Sequence, residues 1–384
     1  MFQIDRRIIT HFDFLLPILV IPIILLSYYL ISEASQLLAS KQIVYFGVGF
    51  FAFLFFFLLP IRKLEWLIPA FYWIGIVLLI SVFIFGTKKL GAQRWLEIPL
   101  VHFTVQPSEF FKPLFLLMIC YLVKQNPPPP TGYGLKMFGI ISFHILVPFV
   151  LILIEPDLGT ALVLLIIGYG VLFLIGVDKK IWLVIVLIIP VTAVISYNYV
   201  LHDYQKKRIE TFLDSTENCE NCHQVRQSII AIGSGGLTGK SKEEATQTRL
   251  KFLPISTSDF IFAYVIERQG FFGGFVLLFL YALIILHLMT LFVKHKKDYF
   301  TQVVAAGIAL LIFMYTGVNV AMTVGFAPVV GIPLPFFSYG GSSFITFMIF
   351  FGIFENLMAF RFDPMHKSIK YSSNQSNKHF FKER

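Results

Sequence analysis

Apolar positions along this chain do not alternate with polar ones; they run in long blocks at 14–32, 43–60, 66–86, 108–123, 137–154, 159–176, 181–200, 264–291, 300–323 and 342–360. Each block approaches the roughly 20 residues a helix needs to cross hydrocarbon at about 1.5 Å per residue. The pattern predicts an all-α polytopic membrane protein of ten transmembrane helices. The stretch 137–176 is too long for one helix and is cut at Glu155-Pro156-Asp157, where proline removes a backbone donor. The first block follows Asp5-Arg6-Arg7 without a small-residue cleavage site, so it is expected to stay as a helix. The parts are helices one to seven in 1–200, a large loop at 201–263, helices eight to ten in 264–360 and a basic tail at 361–384.

Composition agrees with this reading. Of 384 residues, 57% are hydrophobic and 14% charged, 44 are phenylalanine, and the mean hydropathy is +0.77. A soluble domain carries nearer a quarter charged residues. The net charge of +9 is distributed as a topology signal. Arg6-Arg7, Arg62-Lys63, Lys124 with Lys136, Lys179-Lys180, Lys294 with Lys296-Lys297 and the tail all fall on one side of a ten-helix arrangement. Both termini are therefore expected in the cytoplasm, and nothing adds nucleic acid to the partners. The outer face receives 87–107, the turn at 155–158, the charge-free segment 324–341 and the long loop. Between Leu201 and Phe262 there are eight basic and eight acidic residues, which reads as a partly folded cap.

Ionisable side chains within a span mark function by default. The blocks at 14–32, 43–60, 66–86, 159–176, 181–200 and 300–323 hold no Asp, Glu, Lys, Arg or His, and His144, His287 and Glu355 are the interior exceptions. That scarcity weighs against a proton-coupled transporter. Polar chemistry gathers at the outer helix ends instead. Gly91-Ala92-Gln93-Arg94-Trp95-Leu96 precedes Gln106-Pro107-Ser108-Glu109, with Lys112 sharing a helix face with Glu109 at i,i+3. Glu155 and Asp157 flank the proline of the next outward turn. They suit a cation or a sugar, and Asp157 equally suits a helix N-cap. Asp259 stands before the run that enters the eighth span, with Glu267 two turns on. A carboxylate at a desolvated rim can serve as a general base, or it can cap the helix.

Gly325 to Ser343 reads GFAPVVGIPLPFFSYGGSS, whose prolines and glycines forbid a continuous helix. Irregular backbone at membrane depth lines protein or a water-filled cavity, so Ser338 and Ser342 are candidates to present hydroxyls to a ligand. Gly233-Ser-Gly-Gly-Leu-Thr-Gly239-Lys240-Ser241 mimics a phosphate-binding loop, but the pattern requires glycine where Ser234 stands. Cys219-Glu220-Asn221-Cys222-His223 matches the haem-attachment signature C-x-x-C-H.

GAQRWL, QPSEFFK, EPDLGT, GSGGLTGK, LPISTSDFIFA and PVVGIPLPFFSYGGSS stand in the order found in the SEDS proteins (shape, elongation, division and sporulation), and the chain resembles that family over nearly its whole length. The wording is closer to its elongation members than to its division members. The resemblance implies a peptidoglycan glycosyltransferase that polymerises lipid II at the outer face of the bacterial cytoplasmic (inner) membrane. It also implies pairing with a class B penicillin-binding protein. The family's essential acidic residue falls on Asp259, and the matched motifs add Arg94, Glu109, Lys112, Glu155 and Asp157 as substrate-binding positions, with Glu267 retained. The family often has a histidine and threonine where this chain has Thr257-Ser258, and a second glutamate where it has Arg268. Arg268 is expected to recast the local electrostatics. A haem at Cys219, Cys222 and His223 is not expected of a family without redox chemistry; a Cys219–Cys222 disulfide or free thiols are the alternatives.

The expected reaction has Asp259 taking the proton of an acceptor 4-hydroxyl, with Arg94 and Lys112 stabilising the lipid pyrophosphate leaving group. A divalent cation is a possible helper, with no firm ligand set in the sequence. The rival readings are a lipid II flippase, which needs a polar path across the membrane, and a non-catalytic scaffold that activates the cross-linking partner.

Overall fold

The computed structural model describes residues 10–89, 92–98, 103–155, 157–200, 206, 223–249, 256–295 and 298–360. Every apolar block is a helix: α1 (Leu15–Ala34), α2 (Gln36–Leu58), α3 (Ile68–Phe85), α4 (Pro107–Gln125), α5 (Leu135–Ile154), α6 (Leu158–Ile175) and α7 (Lys179–Ile195). After the long loop's helix α8 (His223–Ser234) come α9 (Ile261–Lys294), α10 (Tyr299–Thr323) and α11 (Gly341–Ala359). Among the described residues, nine helices are long and apolar enough to cross a membrane. The tenth expected span, α4, carries Glu109, Lys112 and Lys124 within 19 residues. It packs against α3, α5, α6, α10 and α11, so protein rather than lipid covers its charges. Of those nine, α10 and α11 are the most enclosed and α7 the least.

The segment between α3 and α4 departs from a purely helical description. Strands β1 (Thr87–Lys89), β2 (Ala92–Ile98) and β3 (Phe103–Val105) form a small antiparallel sheet in that order. Trp95 pairs with Thr87 and Leu96 with Val105, which fixes the register that carries Arg94.

The eighth span also differs from expectation. α9 begins at Ile261 rather than 264 and runs for 34 residues, but Gly270 breaks it with φ 69° and ψ −171°. A side chain pays a steric penalty in that region, so glycine is the residue that permits the break. Residues 261–269 thus form a two-turn stub, and the span proper follows.

The groups assigned to the cytoplasmic side meet one another. Arg62 pairs with Asp298, and Lys124 with Glu65. Asp13 meets His287 and donates its backbone N–H to Glu355 at 3.0 Å. Two of the interior exceptions are therefore partnered at a helix end. His144 turns its Nδ1 to the Ile140 carbonyl at 2.8 Å.

Candidate active site

The turn bearing Asp259 is held by its main chain. Three consecutive carbonyls are each fixed by a donor from elsewhere: Thr257 O by the Tyr339 N–H at 2.9 Å, Ser258 O by the Ser338 hydroxyl at 2.6 Å, and Asp259 O by the Asn319 amide at 2.9 Å. Holding carbonyls leaves the side chains at 257 and 258 unconstrained by these bonds, which explains how the chain accommodates Thr257-Ser258. The N-cap position of α9 falls on Phe260 and not on Asp259. Phe260 is buried with Ala231 and Ala263, beneath the helix of the cap. The Asp259 carboxylate faces Gly331, where an added Cβ would stand 3.5 Å from Oδ2.

Helix α10 organises the neighbouring polar groups as a ladder. Tyr315, Asn319 and Thr323 recur at i, i+4 and i+8 and so lie along one face. The Tyr315 hydroxyl meets Lys112. Asn319 donates to Asp259 O and, at 2.7 Å, to Ile332 O. The carbonyl of Thr323 accepts from Ser228 of α8 at 2.7 Å. One helix face therefore joins the deep lysine, the Asp259 turn and the cap.

Lys112 is 2% exposed and its ammonium pairs with Glu109 as well as Tyr315. The expected i,i+3 pair is thus present, and it is buried in the bundle. Pro107 opens α4 at its first position, as the sequence implies.

At the turn between α5 and α6, Asp157 caps α6 by accepting from Thr160 N–H at 3.3 Å. It also accepts from Gln106 at 2.8 Å and lies 3.6 Å from the Arg94 guanidinium. Both readings of Asp157 hold at once. Glu155 is 1% exposed, and neither carboxylate oxygen has a hydrogen-bond partner among the described residues. Burial first, then the charge of Asp157, push its pKa up to about 8 against the pull of Arg94. This turn reaches Asp259 through the irregular segment: a Cβ at Gly159 would stand 2.8 Å from the Val330 side chain, and Val330 and Ile332 flank the Gly331 that faces Asp259.

The cap's glycine turn lies directly on the stub. Added Cβ atoms at Gly235 and Gly239 would come within 2.1 Å of Ile266 O and 2.3 Å of Arg268 O. Two glycines of GSGGLTGK, Gly235 and Gly239, therefore serve backbone-to-backbone packing. Glu267, 0% exposed, accepts from Gln247 N–H at 3.0 Å, while its carbonyl takes the Lys240 N–H at 2.9 Å. It braces the cap. Ser338 accepts from Leu334 N–H at 2.8 Å while donating to Ser258, so it positions the Asp259 turn. Ser342 lies half-buried in the first turn of α11. Cys219 and Cys222 lie outside the described residues, and His223 opens α8 exposed.

Sequence reasoning missed Tyr315 and Asn319, and gave Gln106 no role beyond its place in the QPSE motif. The signal for the first two was their four-residue spacing in an otherwise apolar span.

Comparison with known proteins agrees with this arrangement. Residues 3–362 match the model of the FtsW/RodA/SpoVE "Cell cycle protein" family. Peptidoglycan glycosyltransferase MrdB of Helicobacter pylori (strain ATCC 700392 / 26695) is 53% identical over 94% of this chain and 93% of its own length. MrdB of Escherichia coli K12 is 39% identical over 79% and 80% respectively. Among solved structures, a chain from a peptidoglycan synthase complex described for structural coordination of polymerization and crosslinking superposes with a TM-score of 0.77 at 27% identity, over 92% of this chain and 99% of that one. The Thermus thermophilus rod shape determining protein RodA shares the fold, with a TM-score of 0.68 at 24% identity over 91% of this chain and 98% of its own.

Proposed function

We propose a mechanism from one premise, that this chain belongs to the FtsW/RodA/SpoVE family. It is a multi-pass membrane protein and a peptidoglycan glycosyltransferase of cell elongation. Its substrate is lipid II, polymerised at the outer face of the cytoplasmic membrane. The observation that carries the mechanism is the fixing of three successive carbonyls at 257–259, which presents one carboxylate beside Gly331, whose neighbour Val330 packs on the turn that holds Asp157, the partner of Arg94 on β2.

Asp259 accepts the proton of the acceptor sugar's 4-hydroxyl as that oxygen attacks the anomeric carbon of the other substrate. The bond from that carbon to the lipid pyrophosphate breaks, with inversion, and the pyrophosphate leaves as an anion. Arg94, at the rim with its guanidinium beside Asp157, is the candidate for gripping that charge. Lys112 is engaged by Glu109 and Tyr315, so its charge acts from beneath. Glu109, Asp157 and Glu267 hold the surrounding elements, and Ser342 stands at the mouth of α11. A divalent cation would be held by Glu155 and Asp157 only with the Glu155 carboxyl deprotonated, and would there neutralise phosphate charge; among the described residues no group of three or more His, Cys, Asp or Glu forms a ligand set.

The working partner is a class B penicillin-binding transpeptidase, which cross-links the strands made here. The complex in which the structural neighbour acts couples polymerization to crosslinking, which supports this pairing. The reconstituted pair should polymerise lipid II, and Asp259→Ala should abolish polymerisation while the complex stays assembled. An Asp259→Ala complex that still makes glycan would remove the aspartate from the chemistry.

A further inference from the structure

Arg268 stands where the family often has a second glutamate, and the structure gives it a partner. Its guanidinium forks onto Glu33 at the outer end of α1, with Nε to Oε2 at 3.1 Å and Nη2 to Oε1 and Oε2 at 2.9 and 3.0 Å. A third donor, Nη1, meets the Lys240 carbonyl of the cap's glycine turn. The side chains are 8% and 16% exposed, and the Tyr29 hydroxyl adds a bond to Glu33 at 2.9 Å. This pair belongs to a row. Residues 27, 30 and 33 of α1 share a face at three-residue steps. Ser27 meets Phe337 O, Leu30 O accepts from Tyr264 at 3.2 Å, and Glu33 takes Arg268. Tyr264 and Arg268 are themselves i,i+4 on the stub.

The stub has Asp259 at one end and Arg268 at the other, about 14 Å apart at helical rise. Beyond Arg268 the chain breaks at Gly270, so the membrane span does not by itself set the stub's direction. We propose that Arg268 and Glu33 form a clamp that positions Asp259: the bidentate pair fixes the far end of the stub to α1, and the rigid two-turn helix carries that constraint to the carboxylate. Arg268 is a positioning residue that touches no substrate. The inference rests on Asp259 being the base of glycosyl transfer. Planar, bidentate geometry is what a fork supplies and a point charge does not.

Two measurements on the full chain reconstituted with its transpeptidase test this. In lipid II polymerisation, Arg268→Gln and Glu33→Gln should each lose roughly hundredfold in kcat with KM unchanged, the scale of an ångström-level misplacement. The double variant should be no worse than either single one. Arg268→Lys, which keeps the charge and the fold but not the fork, should lose about tenfold. Wild-type kcat in Arg268→Lys, a defect confined to KM, or additive losses in the double variant would overturn the clamp. Independently of activity, spin labels at Leu37→Cys and Ser256→Cys, with Cys219 and Cys222 replaced by serine and Cys120 by alanine, should give a narrow distance distribution that broadens in Arg268→Gln. An unchanged distribution overturns the clamp. A wild-type complex that makes no glycan overturns the proposed reaction instead, while the distance measurement still judges the clamp.

Discussion

The Asp259 carboxylate and Gly331 are in facing contact: the glycine's missing Cβ would sit 3.5 Å from Oδ2, at a backbone φ of +77°. Gly331→Ala adds a methyl group toward the carboxylate and strains the left-handed backbone by about 1–2 kcal/mol. Polymerisation should fall by an order of magnitude or more, while the melting midpoint in detergent drops by only a few degrees. Unchanged activity would mean that the reacting sugar does not use this face.

Asn319 is the link between α10 and both irregular segments. Asn319→Leu keeps the count and branching of side-chain heavy atoms and strips the amide from two carbonyls, each costing about 1–3 kcal/mol when left unpaired. Activity should be lost along with thermal stability, and Asn319→Asp, which offers the carbonyls no donor when ionised, should not restore either. Parallel melting and polymerisation assays check this.

Glu155 gives stability a pH dependence of definite sign. Its folded pKa is raised, to about 8, so the native state holds a proton that the unfolded chain has released. Stability from this group is complete below the usual carboxylate range and is lost as pH rises from there to about 8. The melting midpoint of wild type should fall across pH 5 to 8. Glu155→Gln should flatten that slope and melt higher at pH 8. A parallel slope in the variant would assign the effect to another group.

Lys112 and Glu109 form a buried pair, and breaking one is worse than removing both. Lys112→Met should destabilise by about 3–5 kcal/mol because Glu109 is left buried without its cationic partner. Glu109→Gln with Lys112→Met should recover much of that stability in denaturation experiments. If the lysine's charge also supports the departing pyrophosphate, the double variant stays inactive although folded.

The membrane architecture was legible because hydrocarbon imposes a length and a composition that single residues announce. The pairs Glu109–Lys112 and Asp157 with its own helix were legible because they are local, set by i,i+3 spacing and N-cap geometry. What escaped was contact between distant segments. Nothing in the sequence tells that Tyr339, Ser338 and Asn319 converge on carbonyls 257–259, since hydrogen bonds to main chain leave no trace in the accepting residues. Arg268 was visible as an oddity, while Glu33, more than two hundred positions away, was not visible as its partner. The GSGG turn looked like a phosphate loop because close backbone approach demands glycine whatever the other surface is.

The break at Gly270 has a consequence for how the protein meets its membrane. An unbroken helix of 34 residues would extend about 51 Å, far beyond a hydrocarbon core of about 30 Å. A helix of that length answers a thicker or thinner bilayer by tilting, and everything rigidly attached tilts with it. With the glycine in place, the 24 residues below the break need not share the axis of the upper two turns, and bonds from the Phe271 and Phe272 N–H groups to the Gly236 and Leu237 carbonyls tie the head of the span to the cap. Glycan synthesis by this enzyme should therefore tolerate changes in acyl-chain length that would disturb an enzyme whose base rode on a continuous rod.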